Sequence, residues 1–289
     1  MHPKAVRLPA RAAALASLAI GIAGLLPAPL MAATPWAAVS LPSSGPTEVI
    51  GSASNGCIGG AEALPETGPG YVSVRRYRNH YYGHPDLIRL IQGLGRSERA
   101  HGPRLMMIGD LSQPRGGRMP SGHRSHQNGL DVDIWFTLTA SPADASRLMD
   151  NRGDPPSMVA PGGFSVSSAW GDDQRFLLET TARHPAVDRL FVNPAIKREL
   201  CQNTVGDRSW LRKVRPWWKH DAHFHVRMSC PPGSTLCSAQ APLPPGDGCG
   251  ERDLAWWFEH KAKGPVKKAE EEPAEPAMPA ACLAVLRDS

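Results

Sequence analysis

The 289-residue sequence lacks several patterns, and each absence excludes a class of protein. None of its six cysteines forms a Cys-x-x-Cys pair, so a zinc site built from thiolates is not expected. After the N-terminus, no segment has the roughly 20 consecutive apolar residues of a membrane-spanning helix. No basic run with interleaved aromatic residues accompanies the formal charge of +5, so nucleic acid is not an expected partner. A Gly-x-Ser-x-Gly motif is also missing, which argues against a serine hydrolase.

The first 33 residues are typical of a secretory signal peptide. A basic region is followed by an apolar stretch and by small residues that suit a cleavage site: Lys4, Arg7 and Arg11, then Ala12 to about Leu30, then Ala32 and Ala33. Pro27 and Pro29 interrupt the apolar stretch, which argues against an uncleaved membrane anchor. We therefore expect an exported mature chain with no membrane span.

The cysteine count predicts disulfides, because an even number follows an export signal. Cys230 and Cys237 flank a Pro-Pro-Gly-Ser turn, which favours a local pair. Cys57 and Cys282 lie near the two ends of the mature chain, where a bond would join the ends. The residues alone do not choose among the remaining pairings.

Periodic patterns predict helices and strands in the mature chain. Apolar residues at helical spacing predict helices over 85–100, 172–184 and 194–201. Short apolar or alternating runs predict strands over 105–108, 130–136, 187–192 and 222–228. In the strand 130–136 the apolar residues alternate with Asp131, Asp133 and Trp135, which predicts that only one face is buried.

These elements predict one α+β domain with a central, mainly antiparallel sheet, flanked by helices and long loops and stapled by disulfides. We assign residues 34–262 to this domain. Residues 34–70, rich in proline, glycine and serine, are expected to form an extended N-terminal arm. Residues 263–289 are expected to form a low-complexity C-terminal tail anchored by Cys282.

Histidines and aspartates in two separate segments predict a zinc site. A turn at Gly129 would bring His126 beside Asp133, and His225 on another strand would complete the set. Zn²⁺ readily takes imidazole nitrogen and carboxylate oxygen as ligands. Three protein ligands leave a fourth position open, which is the arrangement of a catalytic rather than a structural site. We therefore predict Zn²⁺ held by His126, Asp133 and His225.

Four further residues have predicted roles around this site. His223 lies two residues before His225 and shares its face of the strand, so it is the candidate general base. His220 is a candidate to stabilise the oxyanion or to orient His223. His123 is a candidate fourth ligand, partner of a ligand or substrate contact. Asp131 has two open interpretations, a carboxylate that orients a ligand histidine or a surface carboxylate.

Arginines in the same region are candidates for binding substrate carboxylates, because a guanidinium group holds a carboxylate through two hydrogen bonds. They are Arg104, Arg115, Arg118 and Arg124. Taken singly, each is more typical of a solvated loop.

The two histidine segments together resemble those of the penicillin-insensitive murein endopeptidases. They read SGHRSHQNGLDVDIWF over 121–136 and HDAHFHVRMSCP over 220–231. The segments YYGHP at 81–85 and FVNPAIK at 191–197 are also similar. That family belongs to a wider group of zinc peptidases, with the lysostaphin-type enzymes, the D-Ala-D-Ala carboxypeptidases and the hedgehog signalling domain. The resemblance runs from about residue 42 to Cys282.

This resemblance implies a periplasmic zinc hydrolase that cuts the D-alanyl–meso-diaminopimelyl cross-links of peptidoglycan and is insensitive to penicillin. It implies His126, Asp133 and His225 as ligands, with His123 on or near the metal, His223 as base and His220 as transition-state helper. It also implies the disulfides Cys57–Cys282, Cys201–Cys249 and Cys230–Cys237. The acidic, proline-rich stretch before Cys282 is an insertion relative to the family.

Two other functions fit the same residues. A zinc carboxypeptidase that trims the terminal D-alanine would use the same metal chemistry with a different groove. A wall-binding module would keep the zinc without catalysis, although it would have no need of His220 and His223. The sequence leaves open the bond cut, a homodimeric state and any partner enzyme.

Overall fold

The computed structural model describes residues 34–120, 123–149, 153–262 and 276–288, so the expected signal peptide lies outside the described residues. The strands are β1 (Glu48–Ser52), β2 (Asn55–Gly59), β3 (Glu62–Ala63), β4 (Thr67–Gly68), β5 (Tyr71–Ser73), β6 (Tyr82–Gly83), β7 (Met106–Ile108), β8 (Asp131–Trp135), β9 (Val187–Val192), β10 (Val214–Pro216) and β11 (His223–Met228). The α-helices are α1 (Pro85–His101), α2 (Pro142–Met149), α3 (Asp172–Arg183), α4 (Pro194–Asn203), α5 (Glu251–Ala262) and α6 (Ala280–Arg287).

Seven strands form the central sheet, in the order β10-β9-β11-β8-β7-β5-β4. Neighbouring strands run antiparallel except in the pairs β10–β9 and β7–β5. The described residues belong to one compact unit. The predicted α+β domain with a mainly antiparallel sheet and disulfides is therefore confirmed.

Two helices begin at a proline that follows a capping side chain. Pro85 opens α1, and Nδ1 of His84 accepts a hydrogen bond from the backbone N–H of Asp86. Pro194 opens α4, where Oδ1 of Asn193 accepts from the N–H of Ala195. The apolar stripe of α1 is buried against the sheet. No helix in the described part of the chain is both long and apolar enough to cross a membrane.

Each face of the central sheet has its own surroundings. One face contributes Val132 and Ile134 of β8 to the main apolar core under α1 and α3. The other face carries Asp131 and Asp133, yet all five residues of β8 are buried. The prediction that β8 is only half-buried is therefore wrong. Histidine and arginine side chains of β11 and of the loop before it cover the polar face of β8. These partners are distant in sequence, so the local sequence pattern of β8 does not reveal them.

The prediction of an extended N-terminal arm over residues 34–70 is wrong, because this region contains the antiparallel hairpin β1–β2. Ile50, Cys57 and Ile58 of the hairpin are buried. The frequent glycines obscured the strand pattern in the sequence. Gly51 and Gly56 are needed there, since a Cβ on either would lie within 2.3 Å of a backbone oxygen across the hairpin.

The C-terminal helix α6 packs on this hairpin through Cys282, which is fully buried and bonded to Cys57. Arg115 reinforces the contact by donating hydrogen bonds to the backbone oxygens of Val285 and Leu286. The structure also contains the Cys201–Cys249 and Cys230–Cys237 disulfides, so its three pairs are those that the family resemblance implies.

Removing the Cys57–Cys282 bond is expected to destabilise the protein more than removing Cys230–Cys237. The first bond spans 225 residues and the second spans 7, and a longer closed loop restricts the unfolded chain more. We expect the Cys57→Ser/Cys282→Ser variant to lose stability at the low end of about 2–5 kcal/mol. Urea unfolding of both double variants tests this, and an equal or larger loss for Cys230→Ser/Cys237→Ser would contradict it.

Candidate metal centre

The centre of the site is the antiparallel pair β8–β11. The register sets His225 opposite Asp133 and Arg227 opposite Asp131. His126 reaches this pair through a turn in which both it and Gly129 adopt positive φ, 66° and 75°. A Cβ at Gly129 would lie 2.4 Å from the side chain of Ile58, so glycine is required there. The turn brings Nε2 of His126 to 3.4 Å from Oδ1 of Asp133, as the sequence predicts.

Three side chains bring possible metal-ligand atoms together, and His225 joins them through Asp133. Ligand atoms of His123, His126 and Asp133 all lie within 4.8 Å of one another. Nδ1 of His225 lies 3.1 Å from Oδ1 of Asp133, on the same side of the sheet. The side chains of His126 and His225 are only 1% and 6% exposed, whereas that of His123 is 26% exposed. His123 is therefore the member nearest solvent.

Buried polar atoms in this cluster lack partners that a metal ion would supply. Both ring nitrogens of His126 and Oδ1 of Asp133 are buried with no hydrogen-bond partner in the described part of the chain. Leaving such a group unsatisfied costs about 1–3 kcal/mol, so native structures seldom do it. Imidazole nitrogen with carboxylate oxygen is a donor set that suits Zn²⁺. These residues therefore fit a metal ion of this kind.

The electrostatics of the cluster prepare these ligands. Burial would raise the pKa of Asp133, but the neighbouring His126 and His223 hold it well below its usual value. Burial lowers the pKa of His126, so this ring is neutral. Burial would also lower the pKa of His225, but the carboxylates of Asp131 and Asp133 overcome it and raise this pKa to about 9. Without metal, His225 therefore retains a proton at neutral pH.

Asp131 stands behind His225 and is fully buried. It accepts two hydrogen bonds of 2.8 Å from Arg227, and its Oδ2 lies 3.1 Å from Nε2 of His225. With Nε2 beside this carboxylate, Nδ1 of His225 faces Asp133. The same carboxylate accepts a hydrogen bond from the backbone N–H of His126. The geometry therefore supports Asp131 as a carboxylate that orients His225, and not as a surface carboxylate.

Asp110 supports His123 in the same way, and sequence reasoning missed it. Its Oδ2 lies 3.0 Å from Nε2 of His123 and accepts a hydrogen bond of 2.9 Å from Arg78. His80, also missed, places Nδ1 at 3.6 Å from the same oxygen. Burial would raise the pKa of Asp110, but the neighbouring His123 and His80 lower it below its usual value. One feature of the sequence could have indicated Asp110: it is an acid two residues after the predicted buried strand 105–108, which corresponds to β7.

His223 and His220 lie side by side at the edge of the cluster. Nε2 of His223 is 3.8 Å from Oδ2 of Asp133. The ring centroids of His220 and His223 are 5.3 Å apart. Asn193 fixes the approach to His220, because its side chain donates to the carbonyl of Lys219 and its backbone N–H donates to the carbonyl of His220. The segment 191–197 therefore positions the site as well as capping α4.

Nδ1 of His220 lies 2.9 Å from the carbonyl oxygen of Trp218. A carbonyl oxygen only accepts, so this nitrogen carries the hydrogen. Burial and the neighbouring His223 lower the pKa of His220 to about 4. The ring is therefore neutral at pH 7, with Nε2 left as an acceptor.

Two cavities meet at the cluster and share His123, Asp133, Lys219, His220 and His223 in their linings. The larger, of about 580 Å³, extends past Arg75, Arg78, Asp110, Trp135 and Asp154. The smaller, of about 270 Å³, extends past Arg124, Ser125, Trp217, Trp218 and His225. The cluster therefore borders two cavities.

The four candidate arginines have different positions. Arg124 lines the smaller cavity. Arg115 and Arg118 donate to backbone oxygens near the C-terminus, and Arg104 pairs with Asp173. The larger cavity instead uses Arg75 and Arg78, which the sequence analysis did not single out as site residues.

The chain is similar to proteins of known family. Residues 49–287 match the family model described as penicillin-insensitive murein endopeptidase. A protein of that name from Klebsiella pneumoniae (strain 342) is 46% identical over 260 residues, which cover 89% of this chain and 92% of that protein. Another from Salmonella newport (strain SL254) is 43% identical over 257 residues, with the same coverage of 89% and 92%.

Proposed function

This chain belongs to the family of penicillin-insensitive murein endopeptidases, and from that premise we propose that it hydrolyses the D-alanyl–meso-diaminopimelyl cross-links of peptidoglycan with zinc as cofactor. The resemblance drawn from the two histidine segments is thereby confirmed. Membership makes the chain a peptidase. The metal, the residue roles and the bond cut are the substance of the proposal.

The observation that carries this proposal is the pair of cavities that meet at the histidine–aspartate cluster. An endopeptidase must accommodate chain on both sides of the scissile bond, whereas a carboxypeptidase needs room for one terminal residue beyond it. Arg75 and Arg78 in the larger cavity and Lys219 between the two suit the carboxylates of the stem peptides. The open second side favours internal cleavage over trimming.

His126, Asp133 and His225 would hold the zinc, because they are the most buried of the four donors and each has a buried polar atom with no hydrogen-bond partner among the described residues. His123, at the solvent side, would stand at or beside the remaining position. When bound, zinc polarises the scissile carbonyl and makes a water molecule easier to deprotonate. Asp131 and Asp110 would keep the rings of His225 and His123 in their orientations.

His223 is the proposed general base. It lines both cavities and touches the cluster without being enclosed by it, since its side chain is 23% exposed. A proton taken at Nε2 is stabilised by the carboxylate of Asp133 at 3.8 Å. The same nitrogen can return the proton to the leaving amine.

The proposed role of His220 as transition-state helper depends on its protonation. In the neutral ring, Nε2 accepts and cannot donate to an oxyanion. His220 therefore acts on a developing negative charge only after it has received a proton. Its neighbour His223, at 5.3 Å between ring centroids, is the nearest group that handles protons.

Zinc binding is expected to release about one proton at pH 7.5, because His225 must lose its proton to become a ligand. The pKa of this ring is raised to about 9 in the metal-free protein, so zinc affinity should rise with pH up to that value. The raised pKa of His225 also affects the stability of the metal-free protein. Protonated His225 contributes fully to the free energy of unfolding below about pH 6.5, and this contribution is lost as the pH rises through about 9.

Calorimetry of zinc binding in buffers with different ionisation enthalpies measures this proton. The His225→Gln variant is the control, and it should show neither zinc binding nor the accompanying proton release. An enthalpy independent of the buffer for the unsubstituted protein would contradict the assignment of His225.

Export to the periplasm is part of the proposal. The three disulfides are consistent with an oxidising compartment, and the basic-then-apolar residues 1–33 supply an export signal. Residues 34–262 would then form the peptidase domain, and 263–289 a tail bonded through Cys282.

The decisive experiment is mass analysis of muropeptides after incubation with the purified protein, with and without penicillin. We expect cross-linked dimers to become monomers at the same rate in both, and a chelator to stop the reaction until zinc is restored. Loss of alanine alone would identify a carboxypeptidase. No change by a zinc-loaded protein would identify a binding module.

A further inference from the structure

Four indole rings form an exposed aromatic surface beside the metal centre. We call Trp217, Trp218, Trp256 and Trp257 the tryptophan surface. Trp217, Trp218 and Trp256 are 53%, 38% and 48% exposed. A fully packed tryptophan buries about 150–250 Å² of surface. Three partly exposed indoles side by side therefore keep a large apolar area in contact with water, and a partner that covered it would gain stability. Exposed apolar patches of this kind mark interaction sites.

The rings form one cluster around Trp257. Its centroid lies 4.9 Å from those of Trp218 and Trp256 and 6.1 Å from that of Trp217. Trp217 is also fixed from below, because its backbone N–H donates to the carbonyl of Val192 and its ring meets Phe191 edge-on. The surface is thus assembled from two separate parts of the chain, the loop after β10 and helix α5.

Helix α5 is held in place, so the surface is largely formed before any partner arrives. The Cys201–Cys249 bond ties the start of α5 to α4. Leu254 of α5 is buried, and the guanidinium of Arg198 in α4 lies 4.0 Å from the ring centroid of Phe258. A rigid aromatic surface loses little conformational entropy on binding.

The tryptophan surface continues into the proposed catalytic cleft. Trp217 and Trp218 line the smaller cavity together with His220 and His223. The carbonyl of Trp218 also bonds His220. A peptide that enters this cavity therefore lies beside the indoles of Trp217 and Trp218.

The chemistry of the surface selects among polymers. Helix α5 carries three acids and two bases, and Lys219 follows Trp218, so acids and bases nearly balance around the indoles and do not favour a polyanion such as nucleic acid or an anionic membrane surface. Flat apolar faces with indole N–H donors at their edges suit pyranose rings, which have apolar C–H faces and polar edges. Peptidoglycan supplies such rings immediately next to its stem peptides.

We propose that the tryptophan surface binds the glycan strand of peptidoglycan, a chain of N-acetylated amino sugars, and so holds the attached stem peptide in the cleft. This inference rests on the proposed function. The protein would then bind both parts of its polymer, the peptide in the cavities and the sugar on the indoles.

Trp256→Ala is the informative variant, because Trp256 lies on the surface outside both cavity linings. Peptide-free glycan strands should quench the tryptophan fluorescence of the unsubstituted protein, and the variant should bind them about tenfold more weakly. On intact sacculi the variant should show a raised KM. On a cross-linked peptide dimer without sugar its rate should stay within about twofold.

Leu41→Ala is the matched control, since Leu41 is a 67% exposed apolar residue outside the tryptophan surface. Trp256→Phe should retain most of the glycan affinity. Failure of the unsubstituted protein to bind peptide-free glycan would overturn the proposal, even if it cleaves cross-links. Partition onto phosphatidylglycerol vesicles, or a dimer in sedimentation that Trp256→Ala abolishes, with no glycan binding, would also overturn it. If the protein binds glycan but cleaves no cross-link, the proposed function fails and this inference stands.

Discussion

Replacing His225 with alanine is expected to remove both zinc and activity, whereas replacing His223 should remove activity alone. The two residues are two positions apart on β11 and therefore face the same side of the sheet, but their surroundings differ. His225 is enclosed between Asp131 and Asp133 at 3.1 Å from each, as a ligand should be. His223 borders both cavities, as a base should. A positioned base contributes roughly 10²–10⁴-fold to the rate, so His223→Ala should lose about that much.

The measurement is zinc content per chain together with the rate of cross-link cleavage for each variant. His101→Ala, on α1 outside the site, is the control and should leave both unchanged. Zinc loss in His223→Ala with zinc retained in His225→Ala would reverse the two assignments. Full rate and full zinc in both variants would dismiss the site altogether.

His123→Ala decides between two ligand sets that the geometry allows. Donor atoms of His123, His126 and Asp133 lie within 4.8 Å of one another, while His225 is linked to this group through Asp133. Because His123 is the most exposed of the four, we expect its variant to keep zinc with lower affinity. A zinc-free His123→Ala beside a zinc-loaded His225→Ala would show that His123 is the third ligand.

Local patterns predicted the central elements of this fold because the central residues are apolar and regularly spaced. The strand 187–192 has the predicted bounds, and β8 and β11 begin within one residue of theirs. The proximity of His126 to Asp133 was also predictable, since Gly129 in a short turn leaves few other arrangements. Alternation placed His223 and His225 on one face for the same reason.

Residues that reach the site through long-range pairing were not predictable. Asp110 follows β7 and reaches the cluster only because its backbone pairs with that of Asp133. His80 comes from a segment with no periodic pattern. Arg115 resembled a substrate-binding residue, but its neighbours in space are the backbone oxygens of α6. The β1–β2 hairpin was missed because glycines replace the side chains that would show alternation.

Replacing Asp131 with asparagine is expected to weaken both the fold and the metal site. Asp131 is fully buried and bonded to Arg227, whose side chain is only 10% exposed. Burial would raise the pKa of this carboxyl, but Arg227 and His225 hold it well below its usual value. Removing one partner of a buried pair leaves the other charge unpaired and costs about 3–5 kcal/mol. Urea unfolding of the zinc-free variant measures this loss, and Asp207→Asn at the exposed Arg183 pair should change stability little.

The second loss is in zinc affinity, because Asp131 no longer orients His225. Loss of such a partner typically weakens metal binding about 10–100-fold, which competition with a chelator can measure. The Asp131→Asn/Arg227→Met variant separates the two effects. Removing the unpaired guanidinium should restore much of the stability, since apolar replacements of buried pairs are often neutral. It cannot restore the carboxylate behind Nε2 of His225, so the zinc affinity should stay low. If affinity recovered along with stability, Asp131 would serve the fold alone and the orientation of His225 would have another cause.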